Sequence, residues 1–433
     1  MSPPRIGIWL IGARGGVAAT ATLGLVALQK KLTGSVGLVS RLPQFAKLDL
    51  AGWDSFIIGG HEIRDGSLDE AVQRLRADSR VLDGKVIDAC RAELAAVDGR
   101  IRPGSMINCG PTIGSLAGSS VRRFDDEPAA DAIHRLQGDL RDFQQRIGAE
   151  RVIVVNVAST EPAGDTSAIP QRWSELAPAI EHTSPVVRGS PDPADPAPGK
   201  TLRRVPGGTV GRPATTVALP ASSLYAIAAL DLGLPYINFT PSIGATPAAI
   251  QELAVLRGTC HAGQDGKTGE TLLKSVLAPM YAARHLEVLS WVGHNIFGNL
   301  DGLVLDDPAN KAAKIKGKDQ LVGSILGYDP QTLVSIEYIR SLGDWKTAWD
   351  HIHFRGFLGT PMTLQFIWQG CDSLLAAPLV LDLVRFVELS GRHGEVGPLS
   401  HLGSFFKQPL GLTEHDFSRQ FSLLLEWAAH RAR

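Results

Sequence analysis

The chain opens on an apolar run, Ile6 to Ile11, followed by a glycine turn and a long stretch of small and apolar residues. A short apolar run bounded by glycine predicts a buried strand, and the stretch behind it a helix, so the chain starts as a βα unit. Further runs predict strands at Val36 to Ser40, Ser55 to Ile58, Ser105 to Asn108, Val152 to Val157 and Tyr236 to Phe239. The run at Val36 follows one helix length after the first strand, as a parallel crossover requires. Helical stretches lie between these runs, among them Leu68 to Arg76 and Ala129 to Arg146. Strands alternating with helices predict an α/β fold, a Rossmann-like parallel sheet covered on both faces.

Between about Ser184 and Thr216 the pattern lapses into a stretch dense in proline and glycine with little to bury, read as a surface insertion. No internal repeat is present. With 433 residues the chain can build a large core and two domains. Its 43 Lys plus Arg nearly balance 44 Asp plus Glu, so no global field attracts nucleic acid or anionic lipid, and anion recognition must be local. The cysteines, Cys90, Cys109, Cys260 and Cys371, are too scattered for a zinc or redox pair and read as reduced and buried. The N-terminus has no signal-peptide pattern and no apolar run reaches membrane-spanning length, which predicts a cytoplasmic protein with no nucleic-acid or membrane partner.

The candidate chemistry sits in turns. Gly12-Ala13-Arg14-Gly15-Gly16-Val17-Ala18 lies between strand and helix, where bare backbone lets a pyrophosphate approach a helix N-terminus, although a tight βα corner would read alike. With Val36 to Ser40 as the second strand, the acid expected at its end is missing. Ser40-Arg41 stands there instead, a pair suited to the extra phosphate of NADP. The loop Gly263-Gln264-Asp265-Gly266-Lys267-Thr268-Gly269-Glu270-Thr271 runs into a helical segment and offers hydroxyls and amides to a phosphate monoester. Asn295, Asn299 and Asp301 crowd one turn, and Lys314 and Lys318 share a face if their segment is helical. Then follow Gly343-Asp344-Trp345-Lys346, Cys371-Asp372-Ser373 and Phe405-Phe406-Lys407. A lysine partly buried beside other cations has a lowered pKa and can act as a base.

These segments, in this order, resemble the myo-inositol-1-phosphate synthase (inositol-3-phosphate synthase) family, and look closest to its shorter archaeal and bacterial members. The resembling stretches are WLIGARGGVA, GGHEIR, NVASTEP, NFTPSIG, AGQDGKTGET, the N-x-x-x-N-x-D turn, the K-x-x-x-K pair, GDWK, CDSLLAAPLVLDL and FFKQP. The resemblance implies NAD at Gly12, Gly15, Gly16 and Val17, with further contacts from Ser159, Thr160, Thr240, Asp265 and Asp372. It implies phosphate and substrate contacts at Asp265, Thr268, Gly269, Glu270, Asn295 and Asn299. Catalytic lysines fall on Lys314, Lys318, Lys346 and Lys407, with Asp301, Asp344 and Asp372 orienting them. Glu270 stands where the family commonly has glutamine, and a carboxylate beside a phosphate would repel it.

The implied reaction oxidises carbon 5 of glucose 6-phosphate, forms an enolate, closes the ring by an intramolecular aldol step and returns the hydride. The resemblance also implies a homotetramer and, in some members, a divalent metal cation, for which this sequence shows no ligand cluster. The same residues would serve a cyclase acting on fructose 6-phosphate, and a non-catalytic NAD-binding regulator would keep the fold. The expected organisation is a Rossmann-like NAD-binding domain, residues 1–271 plus 375–433, with a catalytic and tetramerisation domain, 272–374, inserted.

Overall fold

The computed structural model describes residues 4–121, 124, 127–162, 166–181, 218–307 and 321–432. The proline-rich stretch 184–216 and both Lys314 and Lys318 lie outside the described residues. Eleven strands form among the described residues: β1 (Ile6–Ile11), β2 (Phe56–Glu62), β3 (Ile101–Pro103), β4 (Arg151–Asn156), β5 (Tyr236–Asn238), β6 (Cys260–Gly263), β7 (Glu287–Phe297), β8 (Gln331–Tyr338), β9 (Trp345–Arg355), β10 (Pro361–Cys371) and β11 (Gly397–Pro398). The helices are α1 (Gly16–Gln29), α2 (Leu68–Ser79), α3 (Gly84–Asp98), α4 (Pro111–Ser115), α5 (Ala129–Ile147), α6 (Trp173–Glu181), α7 (Ala221–Asp231), α8 (Ala248–Leu256), α9 (Gly269–Ala283), α10 (Leu300–Leu305), α11 (Asp372–Arg392) and α12 (Phe417–Arg431).

The first sheet runs β11-β6-β5-β4-β1-β2-β3 and is parallel throughout. Its strands bury both faces, which is why they read as continuous apolar runs. Along β1, Ile6, Ile8 and Leu10 join one core with α1 and α11, while Trp9 and Ile11 join a second core with α5, α7 and α8. In β4 the same alternation puts Ile153 and Val155 in the first core, Val152 and Val154 in the second. Burying each such side chain contributes about 1.5–3 kcal/mol, so this doubly covered sheet is the rigid platform of the molecule. Strand order reverses between β1 and β4, and ligands of open α/β sheets bind in the crevice at that switch point.

Two expected strands are not strands. Val36 is fully exposed and Val39–Arg41 is a 3-10 turn, because the amides of Val39 and Ser40 donate to Asp382 on α11, at 2.6 and 3.1 Å, rather than to a sheet partner. The second strand of the sheet is therefore β2. The run Ser105 to Asn108 is also irregular: β3 stops at Pro103, and the Ser105 amide donates to the Tyr225 hydroxyl at 2.8 Å.

The second sheet, β10-β9-β7-β8, is mixed, with β9 antiparallel to both neighbours and β8 parallel to β7. Helix α9 contributes Ala278 and Tyr281 to its core, against Val288, Trp291, Ile352 and Phe354. The free sides of β8 and β10 keep Leu333 and Ile367 exposed. Helix α11 begins directly after β10 and runs back through the first core, and so fastens the two sheets together.

Candidate active site

A cavity of about 660 Å³ lies over the switch point, walled by the loops after β1, β2, β4, β5 and β6 and by the starts of α10 and α11. Gly12, Gly15, Gly16 and Val17 line it, as do Ser159, Thr160 and Thr240. The glycines are required by space. A Cβ on Gly12, which has φ +80°, would come within 2.9 Å of the Ala158 backbone, and one on Gly16 within 2.4 Å of the Ser373 hydroxyl. Gly15 is the N-cap of α1 and puts no side chain over its first amides, the arrangement that receives a pyrophosphate. Within the cavity wall, Thr160 Oγ1 and Glu161 Oε2 are buried without a hydrogen-bond partner, so polar groups await a ligand that fits them. Burial pushes the Glu161 carboxyl up to about 7, against the opposing donation from Ser222. These residues fit a dinucleotide.

Glu62 supplies what the sequence reading lacked. It ends β2, the position where an acid commonly meets the adenosine ribose, and it lines the cavity. Its signal was present in GGHEIR but hidden by placing the second strand at Val36. Burial pushes its carboxyl up, but Arg64 and the amides of Arg14 and Ile63 outweigh that and hold it below the usual range. Arg41 ends the 3-10 turn against α11 and does not line the cavity, which removes it as the phosphate-selecting residue.

At the other end Lys346 and Lys407 line the same cavity, with Asp265, Thr268, Asn299, Asp301, Asp344 and Asp372. Lys407 donates to Asp265 at 2.8 Å, a pair brought together because the 264–267 loop lies antiparallel to 405–408. Thr268 is the N-cap of α9 yet spends no side-chain bond on the cap, leaving its hydroxyl for a ligand. The Lys346 ammonium lies 5.1 Å from the centre of the Phe297 ring, a cation–π contact.

Several expected roles change. Glu270 does not reach the cavity: it turns into the second sheet, 2.7 Å from Lys274, with Asp350 3.7 Å from the same ammonium and Trp291 donating to Asp350 at 2.7 Å. That pairing removes the conflict between its carboxylate and a phosphate. Asn295 is fully buried on β7, facing the Ser335 carbonyl at 3.5 Å, and is not a cavity residue. Gly269 packs its α-carbon side toward Trp368 and does not line the cavity either. Asp344 holds no lysine among the described residues. It accepts from the Ser373 amide and hydroxyl, both at 2.8 Å, from the Cys371 thiol at 2.9 Å and from Asn299 at 3.2 Å, so it caps the start of α11. Burial pushes its carboxyl up, and these donors only partly oppose that. Of the two described candidate lysines, Lys407 is paired with Asp265 and not with Asp344.

Lys267 stands inside the loop that runs from Gly263 to Thr271, and no local pattern marks it as buried. It is buried and donates at 2.5 Å to the neutral amide of Gln420 on α12. Burial first, and the nearby Lys407 second, bring it down to about 7, with Asp416 opposing. Among the described residues no group of three or more His, Cys, Asp or Glu is arranged to hold a metal ion. The four cysteines are free and buried, and no described helix is long and apolar enough to cross a membrane.

Two family profiles described as myo-inositol-1-phosphate synthase match residues 6–191 and 269–373. The chain is 28% identical over 446 residues to inositol-3-phosphate synthase 1 of Bacteroides thetaiotaomicron, a match covering 98% of this chain and 93% of that one. In fold it is similar to the inositol-3-phosphate synthase of Caenorhabditis elegans, with a TM-score of 0.81 at 22% identity, over 100% of this chain and 86% of that one. A myo-inositol-1-phosphate synthase-related protein of Thermotoga maritima superposes with a TM-score of 0.72 at 22% identity, over 99% of this chain and 100% of that one. The glycine turn at the switch point, the two lysines sharing its cavity and these matches along nearly the whole length lead to one conclusion: the chain belongs to the myo-inositol-1-phosphate synthase family, with an α/β, NAD-binding fold.

Proposed function

We propose that this chain cyclises glucose 6-phosphate to inositol phosphate in a redox-neutral reaction. The observation that carries the reading is that Lys346 and Lys407, from segments far apart in the chain, line one cavity with the glycine turn of a dinucleotide site. Bound NAD would supply a reversible hydride acceptor, taking hydride from carbon 5 and returning it after ring closure.

The chain's own residues supply the rest. The carbon 5 alkoxide, the carbon 6 enolate and the carbon 1 oxyanion each carry charge on oxygen, and fixed ammonium groups aimed at those oxygens lower the barriers. Lys407, paired with Asp265, serves as an ammonium that stabilises an oxyanion and can return a proton to it. That pairing favours Lys314 over Lys407 as the base for the carbon 5 hydroxyl proton. Lys346, with Lys318, clamps the phosphate and the developing carbon 1 oxyanion. Thr268 at the start of α9 offers a hydroxyl beside helix amides for the phosphate, which the helix dipole favours. Asp301 and Asp372, in the first turns of α10 and α11, line the cavity where they can orient cations and cofactor.

The division into residues 1–271 plus 375–433 and 272–374 is supported by the two sheets, since β1 to β6 and β11 build one and β7 to β10 the other. A homotetramer, with the second domain packing between subunits, is supported by the exposed Leu333 and Ile367 on β8 and β10. We place the enzyme in the cytoplasm. The test is incubation with NAD and either glucose 6-phosphate or fructose 6-phosphate, with the product identified by NMR. An inositol monophosphate from glucose 6-phosphate, with no accumulation of NADH absorbance, is expected. Stoichiometric NADH, or a product from fructose 6-phosphate alone, would refute the assignment.

A further inference from the structure

Dinucleotide folds use an acid at the tip of the second strand to accept from the ribose hydroxyls of NAD, and that same charge repels the 2′-phosphate of NADP. Glu62 holds this place, but its acceptor capacity is already taken. A carboxylate offers about four lone-pair sites. Its Oε2 accepts from the Arg14 amide at 2.7 Å and from Arg64 Nη2 at 3.0 Å. Its Oε1 accepts from the amides of Ile63 and Arg64, at 2.9 and 3.2 Å, and from Arg64 Nε at 3.2 Å. Five donors from its own neighbourhood leave no site for a ribose diol while Arg64 stays in place.

Should Arg64 pivot outward, Glu62 keeps three backbone amides, and a guanidinium enters the corner where a 2′-phosphate would sit. Arg14 is not free to follow: its Nε is 3.0 Å from Asp98 and its Nη1 donates to the Arg64 carbonyl at 3.2 Å. Arg74, on the exposed side of α2, also lines the cavity and makes no ion pair among the described residues. Asp78, one turn further along α2, shares a small side pocket with Arg340. Arg14 is paired with Asp98 and Arg64 with Glu62, whereas Arg74 makes no ion pair among the described residues.

We propose that this site admits NADP as well as NAD, with Arg64 and Arg74 as the specificity-determining residues that take the 2′-phosphate. A planar guanidinium matches a phosphate with two parallel donors, so the two arginines lining this cavity can offset the usual discrimination. The inference rests on the reading of the cavity as a dinucleotide site.

Titrating the full chain, stripped of nucleotide on charcoal, with NADH and with NADPH by fluorescence tests it without reference to turnover. NADPH is expected to bind within about tenfold of NADH, and Arg64→Ser and Arg74→Ser each to weaken NADPH about tenfold more than NADH, the worth of a hydrogen bond to a charged group. Because Arg74 is on the surface of α2, its variant tests the assignment even if Arg64→Ser does not fold. An NADPH affinity more than about a hundredfold below that of NADH, or equal weakening of both by the two variants, overturns the proposal and leaves the NAD site intact. Failure to bind either dinucleotide would instead bring down the reading of the cavity itself.

Discussion

Two acid–lysine pairs leave the same stretch of chain and end in different environments. Asp265 and Lys407 meet at 2.8 Å on the wall of the cavity, while Glu270 and Lys274, one turn apart on α9, meet at 2.7 Å inside the second sheet beside Asp350. The first pair lines the cavity, with side chains 11–12% exposed; the second is sealed, with side chains 1–2% exposed. The resemblance to the family points to both Asp265 and Glu270 as ligand contacts, because both stand in the one loop AGQDGKTGET. A helix start turns its side chains through about 100° per residue, so neighbours in sequence look into different compartments. Charge near a site is thus functional or structural according to the face it occupies.

The largest effect should come from the sealed pair. Lys274→Met removes a buried ammonium that lies 2.7 Å from Glu270 and 3.7 Å from Asp350, and breaking a buried pair from one side costs about 3–5 kcal/mol of folding stability. Urea unfolding would show it as a lowered midpoint; a midpoint near that of the parent would mean that the pair is not sealed as described. Next comes the cavity pair. On the proposed mechanism Lys407→Ala removes a cation that stabilises an oxyanion and should lower kcat about 100- to 1000-fold, roughly 2.7–4 kcal/mol of barrier, with the fold retained by circular dichroism. Should Lys407→Ala unfold the protein while folded Lys274→Met loses its turnover, the comparison is inverted.

A third effect is read against pH. Lys267 falls from its ordinary 10.5 to about 7 in the folded protein, so between about pH 7 and 10.5 the unfolded chain binds a proton that the folded chain has lost. Stability then rises with pH across that window, by at most about 1.4 kcal/mol per unit, and levels off above it. Thermal midpoints of the parent and of Lys267→Met, taken from pH 6 to 10, test this. The variant should lose the rise, and parallel curves would show that the buried amine does not titrate there.

The first sheet is legible in the sequence where both its faces are buried. Ile6 to Ile11 is the strand the pattern predicts, and Val152 to Val157 and Tyr236 to Phe239 differ from β4 and β5 by a residue at their ends. Val36 to Ser40 misleads because apolar residues can line a turn whose amides are satisfied by a distant carboxylate, Asp382, which no local pattern reveals. The strands of the second sheet escape notice for the opposite reason. Along β9 the buried positions hold Ala348, Asp350, Ile352 and Phe354, and the other face holds Trp349, His351 and His353, so no apolar run forms. The lysines Lys346 and Lys407 become readable only through resemblance, and the partnership of Lys407 with Asp265 spans 142 positions. Glu62 was within reach, since it closes the apolar run that begins at Phe56, but only once that run is taken as the second strand.

The smallest effect sharpens the boundary between the two kinds of charge. Asn299 caps α10, its Oδ1 accepting from the Gly302 amide at 3.0 Å, while its Nδ2 donates to the buried Asp344 at 3.2 Å. Removing such a cap costs about 1 kcal/mol, so Asn299→Ala should lower the unfolding free energy by about that amount. A serine can also cap, so Asn299→Ser should recover most of the stability but not the donor to Asp344 or any contact with substrate. Measuring KM for glucose 6-phosphate in both variants then separates the roles: a KM raised in both, with stability restored in the serine variant, places Asn299 among the ligand contacts. A KM restored together with stability would assign it to the scaffold, on the same side of the line as Glu270.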